Sequence, residues 1–413
     1  MYTSFFRKAM LGDTATLALD FTTGTMPTAV TFTRADSTAR ATFIDASGYV
    51  KTVTAAGDPR FDYTGGVAKG LLVEAASTNL ALRSQDLNAT VTDGSQWAVS
   101  GYTRSDVSTT LPDGTTGNAC RISGTGSASF RTQSITVDAS TDYVFSFWAR
   151  NNGGSQARFR VFGGANEIVN YTQSINNYVS QIGGAGNTSS TWVRVYVVAS
   201  VPALVTSVFI YPTSSDSGTV DVLLWGVQFE KGTVPSSLIS TTNAARTRLA
   251  DDAVIRSTAW TGLYSKPGTI VVEYYRGEYG AGDRSVLAID TAATKHIHLK
   301  HANASAASGI YNSAGSGVAN KLAGNLTGLN KAAFNWSSAN PSTIKYALNG
   351  NAVVVSGSSD IGATLGTWMT IGSASTTGVS GSGTWEGYLN NSIKSVKYYS
   401  ELLSDAEMIA KTT

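Results

Sequence analysis

Apolar and polar residues alternate along much of this chain with the two-residue period of a β-strand. In 143–150, YVFSFWAR, residues Tyr143, Phe145 and Phe147 fall on one face. In 192–199, Trp192, Arg194 and Tyr196 share one face and Val193, Val195 and Val197 the other. Alternation alone leaves open which of these faces is buried. The run Val222, Leu223, Leu224, Val227 and Phe229, with Trp225 as a large anchor, predicts a strand, which Gly232, Pro235 and Ser236 end. From 246 onward, GTIVVEYYR, RSVLAID, HIHLKH, KAAFNW, IKYALNG, WMTIG and WEGYLNNSIKSVKYYS predict further strands. Strands separated by turn-rich stretches, without a sustained helical period, predict an all-β chain of two-sheet sandwiches.

Two short helices break the pattern. Ser4 can cap one over residues 4–11, with Phe6 and Met10 on one face and Gly12 as its stop. So small a helix needs docking, on the chain's own body or on another subunit. At the other end, Ser404 and Glu407 form a capping box that starts a terminal helix. Between Leu17 and Leu82 the pattern is strand and turn, and ATFIDASGYVKTV predicts a hairpin turning at Ala46-Ser47-Gly48.

At 413 residues the chain has room for two or three domains. Charged residues make up only 14% of it, well below the ~25% usual for soluble domains, and 42 glycines help to fill the difference. This composition suits short strands and many turns, and aromatics at 10% argue against disorder. A net charge of +2 gives no electrostatic case for nucleic acid. The single Cys120 precludes an intramolecular disulfide framework and fits folding in a reducing cytoplasm. The N-terminus lacks the apolar core of a signal peptide, and no apolar run reaches the ~20 residues of a membrane helix. These features predict synthesis in a cytoplasm without membrane insertion.

Three groups of motifs resemble the parts of phage head-spike and tail-fibre proteins. The first is an N-terminal module marked by Phe32 and Arg34, by Pro59, Arg60, Phe61 and Asp62, and by Gly70, Leu71, Leu72, Glu74, Thr78 and Asn79. The second is a jelly-roll domain of carbohydrate-binding type that closes on Trp225, Gly226, Gln228 and Glu230. The third is similar to concanavalin-like or laminin-G-like domains. Its marks are Gly268-Thr269-Ile270 with Glu273, Ala333-Phe334-Asn335-Trp336, Asn349-Gly350, Ile371-Gly372, Gly387-Tyr388-Leu389, Tyr398-Tyr399 and Leu402-Leu403. The resemblance implies a virion-anchoring module over 1–85, a jelly roll over 86–245 and a lectin-like sandwich over 246–413. It further implies a structural virion protein, expected as a homotrimer, with other virion proteins and host-surface glycans as partners. The alternatives are an architectural decoration or baseplate protein without a ligand and a polysaccharide-cleaving tailspike.

Candidate chemistry is sparse. Arg34, Arg60, Asp62 and Glu74 could form a catalytic charge cluster, but paired structural charges are the stronger expectation, because buried charges need partners. His296, His298 and His301 are the only histidines; 296 and 298 share a strand face and could hold a metal, although an exposed polar face accounts for them more simply. A structural calcium ion is compatible with both resembled sandwich types, with Asp221 the position to watch, but no dense acidic loop is present. No cofactor is implied. There is no G-x-S-x-G, no Walker loop and no nucleophile–histidine motif, and GGAGN at 183–187 reads as a loop. No catalytic residue is assigned, and a non-enzymatic protein is expected. Trp260, Tyr264, Trp368 and Trp385 lie near turns where a sugar-stacking platform could stand, without defining a ligand site.

Overall fold

The computed structural model describes residues 15–38, 40–132, 134–154, 156–164, 166–174, 191–215, 218–256, 267–277, 284–292, 295–301, 308–311, 327–337, 342–359, 368–373 and 387–413. The helix expected at 4–11, the loop at 183–187 and the platforms Trp260, Tyr264 and Trp385 lie outside these residues. The fold is all-β with antiparallel sheets, and among the described residues the helix Asp405–Thr412 is the exception. That helix starts with the expected capping box, Ser404 and Glu407 each satisfying the other's backbone N–H.

The middle of the chain folds into one sandwich. Its five-stranded sheet runs in the order Val193–Ser200, Asp142–Asn151, Thr219–Lys231, Thr116–Thr125, Thr103–Thr110. The facing sheet contains Asn166–Ser174, Gln156–Gly163, Ser207–Ser215, Ala128–Arg131 and Ala98–Ser100, with Ile135–Thr136 also on Ser207–Ser215. Phe145, Phe147, Val195, Val197 and Leu224 meet Phe130, Phe159, Val161 and Ile210 in the core between them. The valine face of Val193–Ser200 therefore points inward, which leaves Trp192, Arg194 and Tyr196 on the outer face of the sheet. Trp97 closes the core by stacking on Phe130 with centroids 5.2 Å apart.

The second sandwich draws on both ends of the chain. Its eight-stranded sheet runs Val354–Ser359, Ser342–Leu348, Gly328–Trp336, Gly268–Arg276, Asn391–Tyr399, Val67–Val73, Phe61–Thr64, and Leu17–Asp20 also pairs with Asn391–Tyr399. In the opposing sheet Thr31–Thr33 pairs with Asp252–Arg256, followed by Trp368–Ile371, Arg284–Ala292, Lys295–His301 and Ser308–Tyr311. Leu19, Phe21, Leu71 and Val73 consequently share one core with Ile270, Phe334, Trp336, Met369 and Tyr398. The physical reason is length: strands of three or four residues bury too little to stand alone and gain stability by extending a sheet that already exists. The strand Ser77–Asn79 pairs with Arg246–Arg248 in a separate two-stranded sheet.

The hairpin Thr42–Ile44/Val50–Thr52 forms as the turn residues predict. It leaves the second sandwich and packs Ile44 and Val50 on the outer face of the five-stranded sheet, against Trp148, Leu223, Trp225 and Leu238. The N-terminal segment therefore touches both sandwiches, and the junction between them lies beneath it.

Candidate functional site

The junction is a network of buried charges built from three distant stretches. Arg34 pairs with Asp36 at 2.8 Å and with Asp251 at 2.9 Å. Arg60 pairs with Glu74 at 2.5 Å and forms a second, very short contact with Asp251. Arg248 lies 3.5 Å from Glu74 and donates to the carbonyl of Ala75 at 2.6 Å. Arg60, Arg248 and Asp251 are 0% exposed, so each charge depends on its partners rather than on water. Burial alone would raise the Glu74 carboxyl, but Arg248, Arg60 and two hydrogen bonds from Ser237 hold it down at about 2. Burial also disfavours the Arg60 guanidinium, and Asp251 and Glu74 more than offset that, keeping it charged. The expectation of paired structural charges thus describes Arg34, Arg60 and Glu74, and Asp62 pairs with Lys69 at 3.4 Å. With its oxygens engaged by two arginines and Ser237, Glu74 is poorly disposed to act as a nucleophile or base.

The closing strand Thr219–Lys231 meets this network through a bulge. Opposite Asp142–Asn151 the register steps from Ser146↔Gln228 to Trp148↔Trp225, so Gly226 and Val227 together oppose Phe147. Because of this step, Trp225 faces outward while Leu224, Val227 and Phe229 all reach the core. Gly226 takes φ +65°, and a Cβ there would lie 2.7 Å from the Trp148 ring. Asn79 binds the loosened backbone: its amide nitrogen donates to the carbonyls of Val227 at 3.0 Å and Ile239 at 2.9 Å, and its oxygen accepts from Phe229 N–H at 3.0 Å. Gln228 donates to Glu230 at 2.9 Å, and Glu230 also accepts from Ser77 at 2.6 Å and from both the backbone and the hydroxyl of Ser236. Burial pushes the Glu230 carboxyl up despite these bonds. Trp225, Gln228 and Glu230 are thus buried parts of the joint.

Beside the network lies a cleft of about 220 Å³. One wall is Trp148 and Arg194 from the five-stranded sheet; the other comprises Thr42–Ile44, Asp62, Lys69, Leu72 and Glu74, with Val234, Pro235, Asn390 and Asn391 also contributing. Arg194 stands directly across from Trp148 in the sheet, its guanidinium 4.6 Å from the ring centre, and donates to Ser146 Oγ at 3.0 Å. Burial lowers its affinity for the proton. Among the described residues no carboxylate lies within 4.0 Å of it, whereas Arg34, Arg60 and Arg248 each have one. Burial raises the Asp62 carboxyl; Lys69 and the Ile44 N–H, which donates to it at 2.8 Å, act the other way. Lys69 also lies 5.2 Å from the Tyr275 ring centre. The arrangement can accept hydroxyls and an anion. Sequence reasoning placed Arg194 on a strand face but did not single out Arg194, Lys69 or Trp148, because their meeting depends on how the hairpin and connector cover the sheet.

The remaining candidates are placed elsewhere. His298 is buried, not on an exposed face, and shares a hydrogen bond with Ser285 at 2.8 Å. Its strand Lys295–His301 lies between Arg284–Ala292 and Ser308–Tyr311; Ile297 and Leu299 face the core, so His298 stands on the opposite face of the sheet and is buried there. No group of three or more metal-ligating side chains occurs among the described residues. Asp221 gives both carboxylate oxygens to Arg121 at 2.8 Å, and Asn152 donates to it at 3.1 Å, a donor-rich setting that does not fit calcium. Trp368 is half-buried and pairs across the sheet with Arg256, whose guanidinium lies 5.4 Å from its ring centre. Cys120 is buried, and burial pushes its thiol up, away from the reactive thiolate.

No family model matches the chain, and no curated protein matches it. Among solved structures, the Ruminococcus gnavus IT-sialidase CBM40 bound to α2,3-sialyllactose is 21% identical, with 38% of this chain and 87% of that one covered at a TM-score of 0.29. The N-terminal CBM22-1–CBM22-2 tandem of Paenibacillus barcinonensis Xyn10C is 11% identical, with 79% and 99% covered at 0.26. The full extracellular region of zebrafish Gpr126/Adgrg6 is 10% identical, with 71% and 37% covered at 0.24. Likenesses this distant carry no functional argument.

Proposed function

We propose that the chain is a non-enzymatic structural protein of a tailed-phage virion, a head or tail fibre or spike, that presents its sandwiches to host-surface glycans. One observation carries the reading: residues of two separate resemblance motifs meet in one buried joint. Arg34, Arg60, Glu74 and Asn79 come from the N-terminal motif, Gln228 and Glu230 from the closing-strand motif, and Ser77, Ser237 and Asp251 link them. The motifs thus have a structural purpose, to fix two sandwiches against one N-terminal segment, which is the demand placed on a fibre that must hold a binding surface at a set angle. The engagement of Glu74 by arginines and a serine supports the non-enzymatic part. A homotrimer attached through its N-terminal region is the assembly that follows from the same resemblance.

Immunogold labelling of purified virions with an antibody to the whole chain tests the reading. Gold at the head or tail surface is the expected result. Unlabelled particles from cells that express the chain would contradict it.

A further inference from the structure

The cleft has one feature that its function as a joint does not explain. Arg34, Arg60 and Arg248 are each met by a carboxylate, but among the described residues none meets Arg194. It spends one nitrogen on Ser146 Oγ, its Nε is buried without a hydrogen bond, and it lines an accessible cavity. The nearby Glu230 is engaged by two serines and Gln228, and Glu74 by two arginines, so neither is available as its direct partner. A guanidinium so placed is a strong anion receptor, because leaving it unpaired forgoes charge-assisted hydrogen bonds in a setting that water screens poorly.

We propose that the cleft binds one carboxylate-bearing sugar residue, with Arg194 as the counter-ion of its carboxylate and Lys69, Asn390 and Asn391 facing its hydroxyls. The proposal rests on the glycan reading above and names its ligand class. A volume of about 220 Å³ gives room for roughly a single sugar ring. The planar guanidinium, its centre 4.6 Å from the Trp148 ring centre, carries the fork of donors that suits a planar carboxylate. Asp62 and Lys69 supply an acceptor and a donor on the opposite wall, the pairing that polyols use, and Val234 and Pro235 supply apolar contact.

The test is ligand-observed NMR on the whole chain with glucuronate and galacturonate as probes and glucose and galactose as their neutral counterparts. At least tenfold tighter binding of the acids is expected. Arg194→Gln should remove that preference, and Arg194→Lys should restore part of it. Val234→Trp, which fills the cleft from the connector, should abolish binding and provides the same test if Arg194→Gln does not fold. Equal binding of acids and neutral sugars, no saturable binding, or wild-type binding by the variants would overturn the proposal. The two readings separate on polymeric host glycan. Retention of polymer by wild type and Arg194→Gln alike, without acid preference, overturns the cleft assignment and leaves glycan recognition standing. If the chain retains no polymer, both fall.

Discussion

At the scale of single residues, the junction is held by charges that would be costly if they were not paired. Glu74 concentrates this dependence, since its carboxylate serves Arg60, Arg248 and Ser237 together. Its folded pKa is depressed to about 2 from an ordinary 4.5, so the stability it contributes is present above about pH 4.5 and is lost as pH falls through about 2. Glu74→Gln is expected to cost about 3–5 kcal/mol at neutral pH, because it leaves two buried guanidiniums short of a partner. In denaturant titrations across pH, the variant should also lose part of the acid limb between pH 4.5 and 2; an unchanged limb would assign the acid sensitivity elsewhere. The sequence announced this residue and Arg60 as paired, since long charged side chains inside strand motifs cannot stay unpartnered. It could not name Asp251, which bonds Arg60 across 191 positions, because an ion pair is a spatial fact without a local signal. His298 was misplaced for a related reason: alternation sets the face it shares, opposite Ile297 and Leu299, but not whether that face is covered.

At the scale of elements, the pattern of strands was legible wherever local alternation or turn chemistry set it. The alternation along Val193–Ser200, though not which of its faces is buried, the hairpin at Asp45–Gly48 and the capping box at Ser404 are examples. The bulge at Gly226 and the pairing of Val67–Val73 with Asn391–Tyr399 were not, because both are set by the partner strand. Gly70 marks that second pairing. It takes φ +103°, and a Cβ there would clash with the backbone carbonyl of Ile393 and the Cα of Lys394. Backbone cannot step aside as a side chain can, so Gly70→Ala should destabilise the second sandwich by roughly 2–4 kcal/mol, the upper part of the usual range for single substitutions. Hydrogen exchange should place the loss in Phe61–Thr64, Val67–Val73 and Asn391–Tyr399, with Asp142–Asn151 protected as before. Uniform loss in both sandwiches would contradict the assignment.

At the scale of the molecule, the N-terminal segment acts as a tie. It donates strands to one sandwich, a hairpin to the outer face of the other, and Arg34, Arg60 and Glu74 to the joint. Cutting the chain at residue 85 would therefore strip three strands from the eight-stranded sheet and expose the core residues they cover, Ile393 and Val396 among them. Any test of recognition accordingly needs the whole chain. The most direct one incubates it with a panel of bacterial surface polysaccharides and follows both retention and reducing ends. Saturable retention without new reducing ends is the predicted result. New reducing ends would make the protein a polysaccharide-cleaving spike, and no retention at any concentration would leave an architectural part without a ligand; either contradicts a non-enzymatic glycan-binding role.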